Sequence, residues 1–296
     1  RPMAAEKDTQ SIDIDAIFKA KNPGLYRLLP GFVLSYIKRV IHQTEINRIL
    51  GTAKGVHGID FADLVIREMG IHIRCKGLEN IPKTGGIIIA GNHPLGGIDG
   101  TALISQVGQV RRDLRFIVND LLTNLSNFGE VFVPVNKLGT NAKSNLEKIE
   151  QIYASDMAVM IFPAGLCSRK IDGKIQDLEW QKSFVTKAKK YQHPIVPVFV
   201  SARNSEWFYN LSRFRTKLGI KANIEMFYLA DEMFKQKGKT IEFTFGKPIA
   251  PQLLDESLNI KQWSEKIRHY LYSLEATPDL TFENFLSQNK EASTQN

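Results

Sequence analysis

The sequence predicts an α/β protein: a mixed, largely parallel central sheet flanked by helices, with an amphipathic helical segment at its N-terminus. Three observations predict it. Short apolar runs closed by glycine or proline, among them Gly86–Gly91, Ala158–Phe162 and Ile195–Val200, suit strands buried on both faces. Ile87–Ala90, a helical stretch over Thr101–Val110 and the strand Arg115–Val118 follow in strand-helix-strand order, which makes a βαβ unit with parallel strands. Ahead of them, Leu25–Leu50 sets Phe32, Val33, Tyr36, Ile37, Val40 and Ile41 at helical spacing, with Arg27, Lys38, Arg39 and Arg48 on or near the other side. A basic helix of that kind either packs on the core or lies in a bilayer interface.

Residues 11–50 read as helical, punctuated by Pro23-Gly24 and Pro30-Gly31. Asp60 caps a further helix running to about Met69, and Ile71–Cys75 alternates like a half-buried strand. Gly77–Thr84 is a turn-rich loop. Beyond the βαβ unit, Val131–Val135 is a strand and Asn141–Ser155 a helix. Trp180–Tyr191 is helical, and its lysines 182, 187, 189 and 190 form a solvated face or, second, a docking patch for an acidic acyl carrier or lipid surface. Ile195–Val200 tolerates Pro194 and Pro197 at a sheet edge or a strand start. Lys239–Phe245 is a late strand, Ile260–Leu274 a closing helix, and the polar residues from about Gln288 a loose tail.

Composition narrows the function classes. At 296 residues, 43% hydrophobic and 24% charged, the chain is an ordinary globular protein and not a disordered one. A net charge of +8 suits an anionic partner: lipid, an acidic carrier protein or nucleic acid. Cys75 and Cys167 are too few for a disulfide framework, which points to a reducing compartment. Neither a secretory signal nor an apolar run of about 20 residues is evident, so no spanning helix is expected. Zinc-ligand spacing, a Walker loop, a dinucleotide fingerprint and internal repeats are absent from the sequence.

The chemistry gathers in residues 86–101, GIIIAGNHPLGGIDGT. Pro94 holds His93 out of the helical region, and Gly96 and Gly97 let the chain turn before the next helix. His93 and Asp99 therefore share one connection at a strand's carboxyl end. An imidazole is a useful base near neutral pH, and a carboxylate can fix its tautomer, so the pair can deprotonate an alcohol. A lone pair of this kind is more often structural, and its surroundings must decide. The second signal follows Ala158–Phe162: Arg169 can clamp a phosphate or carboxylate, and Gly165 permits close backbone approach. Cys167 lacks a partner and reads as an apolar filler. Lys137 and Arg203 stand after strands, where each can serve as a further anion contact, Lys137 being otherwise a solvated surface lysine.

These residues resemble the motifs of the glycerolipid acyltransferases, the family that includes 1-acylglycerol-3-phosphate acyltransferase. Asn92-His93-Pro94 through Asp99 is similar to the family's histidine-aspartate box, with five residues between the pair where the common box has four. This proline-glycine form resembles the branch that acylates lyso-aminolipids such as lyso-ornithine lipid. Lys137 stands where the second motif usually has an arginine that binds the acceptor's phosphate. Phe162, Pro163, Gly165, Ser168 and Arg169 match the third motif, with Ala164 in place of its glutamate, and Ile195–Val200 resembles the fourth.

Over about residues 70–250 the resemblance implies an O-acyltransferase with His93 and Asp99 catalytic. Asn92, Lys137, Phe162, Pro163, Gly165, Ser168, Arg169 and Arg203 would contact substrate. No metal and no cofactor would be needed beyond acyl carrier protein (acyl-ACP) or acyl-coenzyme A (acyl-CoA) as thioester co-substrate. Trp207, Phe208, Tyr209 and Phe214 would line an acyl channel or pack in the core. The expected organisation is a membrane-interface segment over 1–60, the acyltransferase domain over 61–280 and a loose tail over 281–296, held as a peripheral or monotopic protein on the anionic, cytoplasmic face of a membrane. The acceptor implied is a lyso-lipid, first a lyso-aminolipid and second lysophosphatidic acid. A non-catalytic basic protein binding nucleic acid or membrane is the remaining alternative, and no nucleic-acid motif supports a nucleic-acid partner.

Overall fold

The computed structural model describes residues 11–118, 126–135 and 142–294. Among the described residues the strands are β1 (His72–Lys76), β2 (Ile87–Gly91), β3 (Leu114–Val118), β4 (Phe132–Pro134), β5 (Ala158–Ile161), β6 (Arg169–Ile171), β7 (Lys174–Gln176), β8 (Ile195–Ser201) and β9 (Thr240–Phe245). The helices are α1 (Ile14–Lys21), α2 (Pro23–Leu28), α3 (Gly31–Val40), α4 (Gln43–Thr52), α5 (Gly58–Glu68), α6 (Gly97–Val107), α7 (Ala142–Ala154), α8 (Ser183–Tyr191), α9 (Glu206–Lys217), α10 (Leu229–Phe234), α11 (Ile260–Ser273) and α12 (Phe282–Thr294).

Seven strands form one sheet in the order β1-β9-β8-β2-β5-β3-β4. The block from β8 to β4 is parallel throughout, while β9 runs antiparallel to β8 and carries β1 parallel to itself. This is the mixed, largely parallel sheet that the βαβ order predicts. β2 lies between β5 and β8, with Ile88 opposite both Val159 and Ile195. Its three isoleucines are each no more than 1% exposed, because both sheet faces are covered and every position of the strand is a core position. Ile87 and Ile89 pack with α5 and α6, whereas Ile88 and Ala90 pack with α8 and α11.

Four details differ from expectation. Leu25–Leu50 is not one helix: Pro30 opens α3, and His42, in the left-handed region at φ 56°, separates α3 from α4. α5 begins at Gly58, so Asp60 lies in its first turn and does not cap it. Pro197 stands inside a central strand, at the break between the Val198–Phe245 pairing and the isolated Ile195–Ile249 bridge. A residue without an N–H is accommodated there because the β8–β9 ladder is interrupted, and the Gly246 amide bonds the Pro197 carbonyl at 2.8 Å. Residues 288–294 of the tail belong to α12, anchored by Phe282, which is 2% exposed and packs its ring on Tyr270 and Trp263. Polar composition past Gln288 conceals an anchor placed one turn and more earlier.

α6 lies close on β3 because Gly100 has no side chain: a Cβ there would stand 2.5 Å from Phe116 Cε1. Gly100→Ala is expected to lose about 1–3 kcal/mol of stability by overpacking. Gly31→Ala, where a Cβ would meet nothing within 4 Å, should be nearly neutral. Thermal or urea unfolding of the two variants beside wild type checks the contrast.

Candidate active site

The site is built at the carboxyl ends of β2 and β5. Beyond β2 the chain continues its pairing with β8 through a side chain: Asn92 Nδ2 donates to the Val200 carbonyl at 3.0 Å and Asn92 Oδ1 accepts the Val200 N–H at 2.7 Å. Pro94 and the glycines then reverse the chain. Gly96 has φ +112°, a conformation that L side chains avoid, and it immediately precedes α6. Asp99, in the first turn of α6, reaches back across this turn. Its Oδ2 accepts the Leu95 N–H at 2.7 Å, the Gly96 N–H at 3.1 Å and His93 Nδ1 at 2.9 Å. The five-residue spacer thus closes into a loop that returns the carboxylate to the imidazole.

Asp99 is fully buried, and its second oxygen, Oδ1, has no hydrogen-bond partner among the described residues. An ionised carboxylate only accepts, so Nδ1 carries the hydrogen and Nε2 keeps its lone pair. The imidazole stacks on Phe162 at 4.3 Å between centroids and 15° between planes, and Phe162 meets Phe116 edge-on at 5.3 Å. His93, Gly96, Gly97, Gly100, Phe162 and Gly165 line a cleft of about 60 Å³. A second, apolar cavity of about 400 Å³ also reaches Gly97; Ile46, Leu50, Phe61, Phe128, Leu229 and Met233 are among its walls. One helix start therefore borders both spaces.

An acid that carries no sequence signal supports this arrangement. Asp177, after β7, is fully buried; its Oδ1 accepts the His93 N–H at 3.0 Å and the Ser168 hydroxyl at 2.6 Å, and its Oδ2 accepts Trp180 Nε1 at 2.8 Å. Burial pushes its carboxyl above the usual range, against the opposing effect of those donors. Ser168 N–H donates to the His93 carbonyl at 2.7 Å, which ties the segment after β5 to the box. From the far side the Tyr272 hydroxyl accepts the Asp177 N–H, and Arg268 donates to the Asp177 carbonyl, both at 2.8 Å.

Of the residues singled out from sequence, the structure brings His93, Phe162 and Gly165 together around the cleft, with Asp99 behind them. Asn92, Pro163 and Ser168 are buried, and their polar groups bond protein: Asn92 holds Val200, the Pro163 carbonyl accepts the Gln181 N–H at 2.9 Å, and Ser168 holds Asp177. Arg169 is 7% exposed and turned away from the cleft. Its Nε and Nη2 donate to Glu225 Oε1 at 3.2 and 3.0 Å, Nη1 donates to the Cys167 carbonyl at 2.6 Å, and the guanidinium lies over Phe208. A spacing that can present a fork to a ligand presents it here to an acid 56 residues further on. Arg215 donates to both oxygens of the same Glu225, at 2.7 and 2.8 Å. Arg203 is exposed and pairs with Glu206. Lys137 lies outside the described residues. Cys167 is buried against Phe208 and Tyr209, and burial raises its thiol, as a filler requires. Of the four aromatics after β8, Phe208 and Tyr209 are core while Trp207 and Phe214 are exposed. Among the described residues no three His, Cys, Asp or Glu side chains converge as a metal-binding group, and no helix is long and apolar enough to cross a membrane.

A half-buried imidazole on a buried carboxylate, at the carboxyl end of a parallel sheet and beside an apolar cavity, fits the chain into a class of enzymes. It belongs to the acyltransferase family, whose profile, described as "Acyltransferase", matches residues 16–280, and the protein is an acyltransferase. Two curated relatives are named lyso-glycine lipid O-acyltransferase. That of Bacteroides thetaiotaomicron is 44% identical over 264 residues, covering 89% of this chain and 97% of the relative. That of Phocaeicola vulgatus is 42% identical over 264 residues, covering 89% and 95%. A similar solved structure, the 1-acyl-sn-glycerophosphate (LPA) acyltransferase of Thermotoga maritima, has 17% identity and a TM-score of 0.47, over 88% of this chain and 93% of that one.

Two outcomes test the supports. Asp177→Asn places an amide N–H against a donor whichever way it turns, so it should cost about 1–3 kcal/mol in unfolding experiments and lower turnover by displacing the box. For Glu225, burial raises the carboxyl, but the hydrogen bonds of Arg215 and the charges of Arg169 and Arg215 carry it down to about 2. A carboxyl depressed in the folded state contributes stability above its unfolded value and loses it as pH falls through the folded one, here from about 4.5 to about 2. The melting-temperature gap between wild type and Glu225→Gln is expected to narrow across that window.

Proposed function

We propose that this acyltransferase moves a fatty acyl group from an acyl thioester to the hydroxyl of a lyso-lipid, with a lyso-aminolipid of the lyso-glycine lipid kind as acceptor. The observation that carries the reading is the His93–Asp99 pair opening on a cleft that shares Gly97 with an apolar cavity of about 400 Å³. The names of the two relatives, matched over nearly their whole length, support the acceptor class.

In this mechanism His93 Nε2 takes the acceptor's hydroxyl proton as the oxygen attacks the thioester carbonyl carbon. Asp99 holds the imidazolium that forms, and the two backbone donors on its Oδ2 keep the carboxylate aimed at Nδ1. The tetrahedral oxyanion then collapses, the carbon–sulfur bond breaks, and the thiolate takes the proton back from Nε2. The Gly165 N–H is engaged with the Phe162 carbonyl at 3.0 Å, so the oxyanion's donors are assigned to the first turn of α6, where Gly97 borders the cleft and helix N–H groups lack partners within the helix. The apolar cavity would take the acyl chain. The donor, acyl-ACP or acyl-CoA, would bind at the anionic surface of a membrane, where the acceptor resides.

A panel of lyso-lipids, offered with labelled acyl-ACP and acyl-CoA, tests acceptor and donor together. Acylation of lyso-glycine lipid in preference to lysophosphatidic acid is expected, and the reverse preference would move the assignment to the phosphate acceptor. His93→Ala should fold normally and lose about two to four orders of magnitude in rate. Full activity in that variant would remove the mechanism.

A further inference from the structure

Two stretches far apart in sequence turn apolar side chains outward and meet at one tyrosine. In α2 and α3, Leu28 is 81% and Phe32 76% exposed. The other stretch is α9, which carries an apolar stripe on its outer side as well as apolar residues on its inner one. Its Phe208, Tyr209 and Ser212 face the core, while Trp207, Leu211, Phe214 and Leu218 recur at steps of four, three and four on the opposite side. Phe214 is 60% and Leu218 58% exposed, and Ile220, Ile224 and Phe227 extend the same character beyond the helix. Tyr228 joins the two stretches: its hydroxyl meets that of Tyr36 in α3 at 2.8 Å, and the rings of Trp207 and Phe227 pack edge-on against it at 4.4 and 5.1 Å.

Cations frame this surface. Arg213 and Lys217 flank the α9 stripe, Lys221 follows it, and none of the three has an ion-pair partner among the described residues. Arg213 and Lys217 also line, with Lys170 and Arg215, an open cavity of about 640 Å³. Apolar side chains bordered by unpaired cations match an anionic bilayer, where the rings and leucines enter the acyl boundary and the cations meet head groups. A second copy of the chain fits worse, because a two-fold contact would set those cations against their own copies.

We propose that α2 and α3, together with α9 and residues 218–227, form one continuous face that seats on an anionic bilayer. The α9 half reaches the acyl boundary as the N-terminal half does. α10 follows Tyr228 at once, and its Leu229, Ala230, Met233 and Phe234 line the apolar cavity, so the seated face passes directly into that cavity's wall. The partner rests on the reading of a bilayer-borne acceptor, but the test reads binding with no acyl donor present.

Trp207 makes the test direct. It is 47% exposed, while the other two tryptophans, Trp180 and Trp263, are 2% and 3% exposed. Full-length protein is mixed with vesicles of equimolar phosphatidylcholine and phosphatidylglycerol, or of phosphatidylcholine alone. Flotation with the anionic vesicles and a blue shift of tryptophan emission are expected. Phe214→Ser/Leu218→Ser/Ile224→Ser and Arg213→Gln/Lys217→Gln/Lys221→Gln should each melt as wild type does yet bind at least about tenfold more weakly. Binding of both variants at wild-type strength, with loss only in Leu28→Ser/Phe32→Ser, would overturn the α9 half, as would wild-type flotation with unchanged emission. Conversion of a dimer to a monomer by the serine variant, with vesicle binding intact, would reassign the face to a contact between copies. Protein that acylates a dispersed short-chain lyso-lipid but floats with neither vesicle would refute the face and leave the enzymatic reading standing.

Discussion

One oxygen organises the centre of this protein. Asp99 Oδ2 collects the Leu95 and Gly96 amides and the His93 imidazole, so the same atom that closes the turn after β2 selects the histidine tautomer. The turn cannot open without stranding a fully buried carboxylate, and the imidazole cannot swing without removing one of its three donors. Folding of the loop and orientation of the imidazole are a single event here. The positive φ of Gly96 is what lets five intervening residues satisfy both ends of the pair.

Behind that oxygen stand two layers of different chemistry. One is apolar: the imidazole rests on Phe162, Phe162 on Phe116, and Phe116 against the bare Cα of Gly100 on the same helix that supplies Asp99. The ring of contacts closes on itself, so α6 positions the carboxylate directly and the imidazole through packing. The other layer is polar. Asp177 grips the box from the backbone side and links it, through Tyr272 and Arg268, to α11. Arg169, Arg215 and Glu225 form a further buried cluster that fastens β6 to α9 and the turn after it.

What was legible in the sequence was local. Glycine-bounded isoleucines disclose β2, the βαβ spacing discloses the parallel sheet, and His93 and Asp99 stand within one motif. The stretch after β5 was legible as a motif and misleading as geometry. Ser168 and Arg169 have the chemistry to grip an anion, but whether they face ligand or protein depends on acids that arrive later in the chain. Asp177 stands 84 residues from the amide it binds and follows a short hairpin that has no distinctive pattern. Glu225 is 56 residues from Arg169, in a segment whose periodicity points nowhere. Pro197 shows the same limit in the sheet, since a proline is admissible in a central strand only where the neighbouring ladder breaks, and the break depends on how Gly246 and Ile249 return to β8.

The strand order has a consequence for how such a chain is made. β2 leaves the ribosome well before either neighbour exists: β5 begins 71 residues later, a delay of roughly 4–14 s at ordinary rates of synthesis. β8 comes later still, and β1 must wait for β9, the final strand of the sheet. Throughout that interval three consecutive isoleucines carry two unsatisfied edges, the template that promotes pairing between chains. Nascent molecules of this fold therefore depend on being kept apart, by chaperones or by dilution, until residue 201 has emerged.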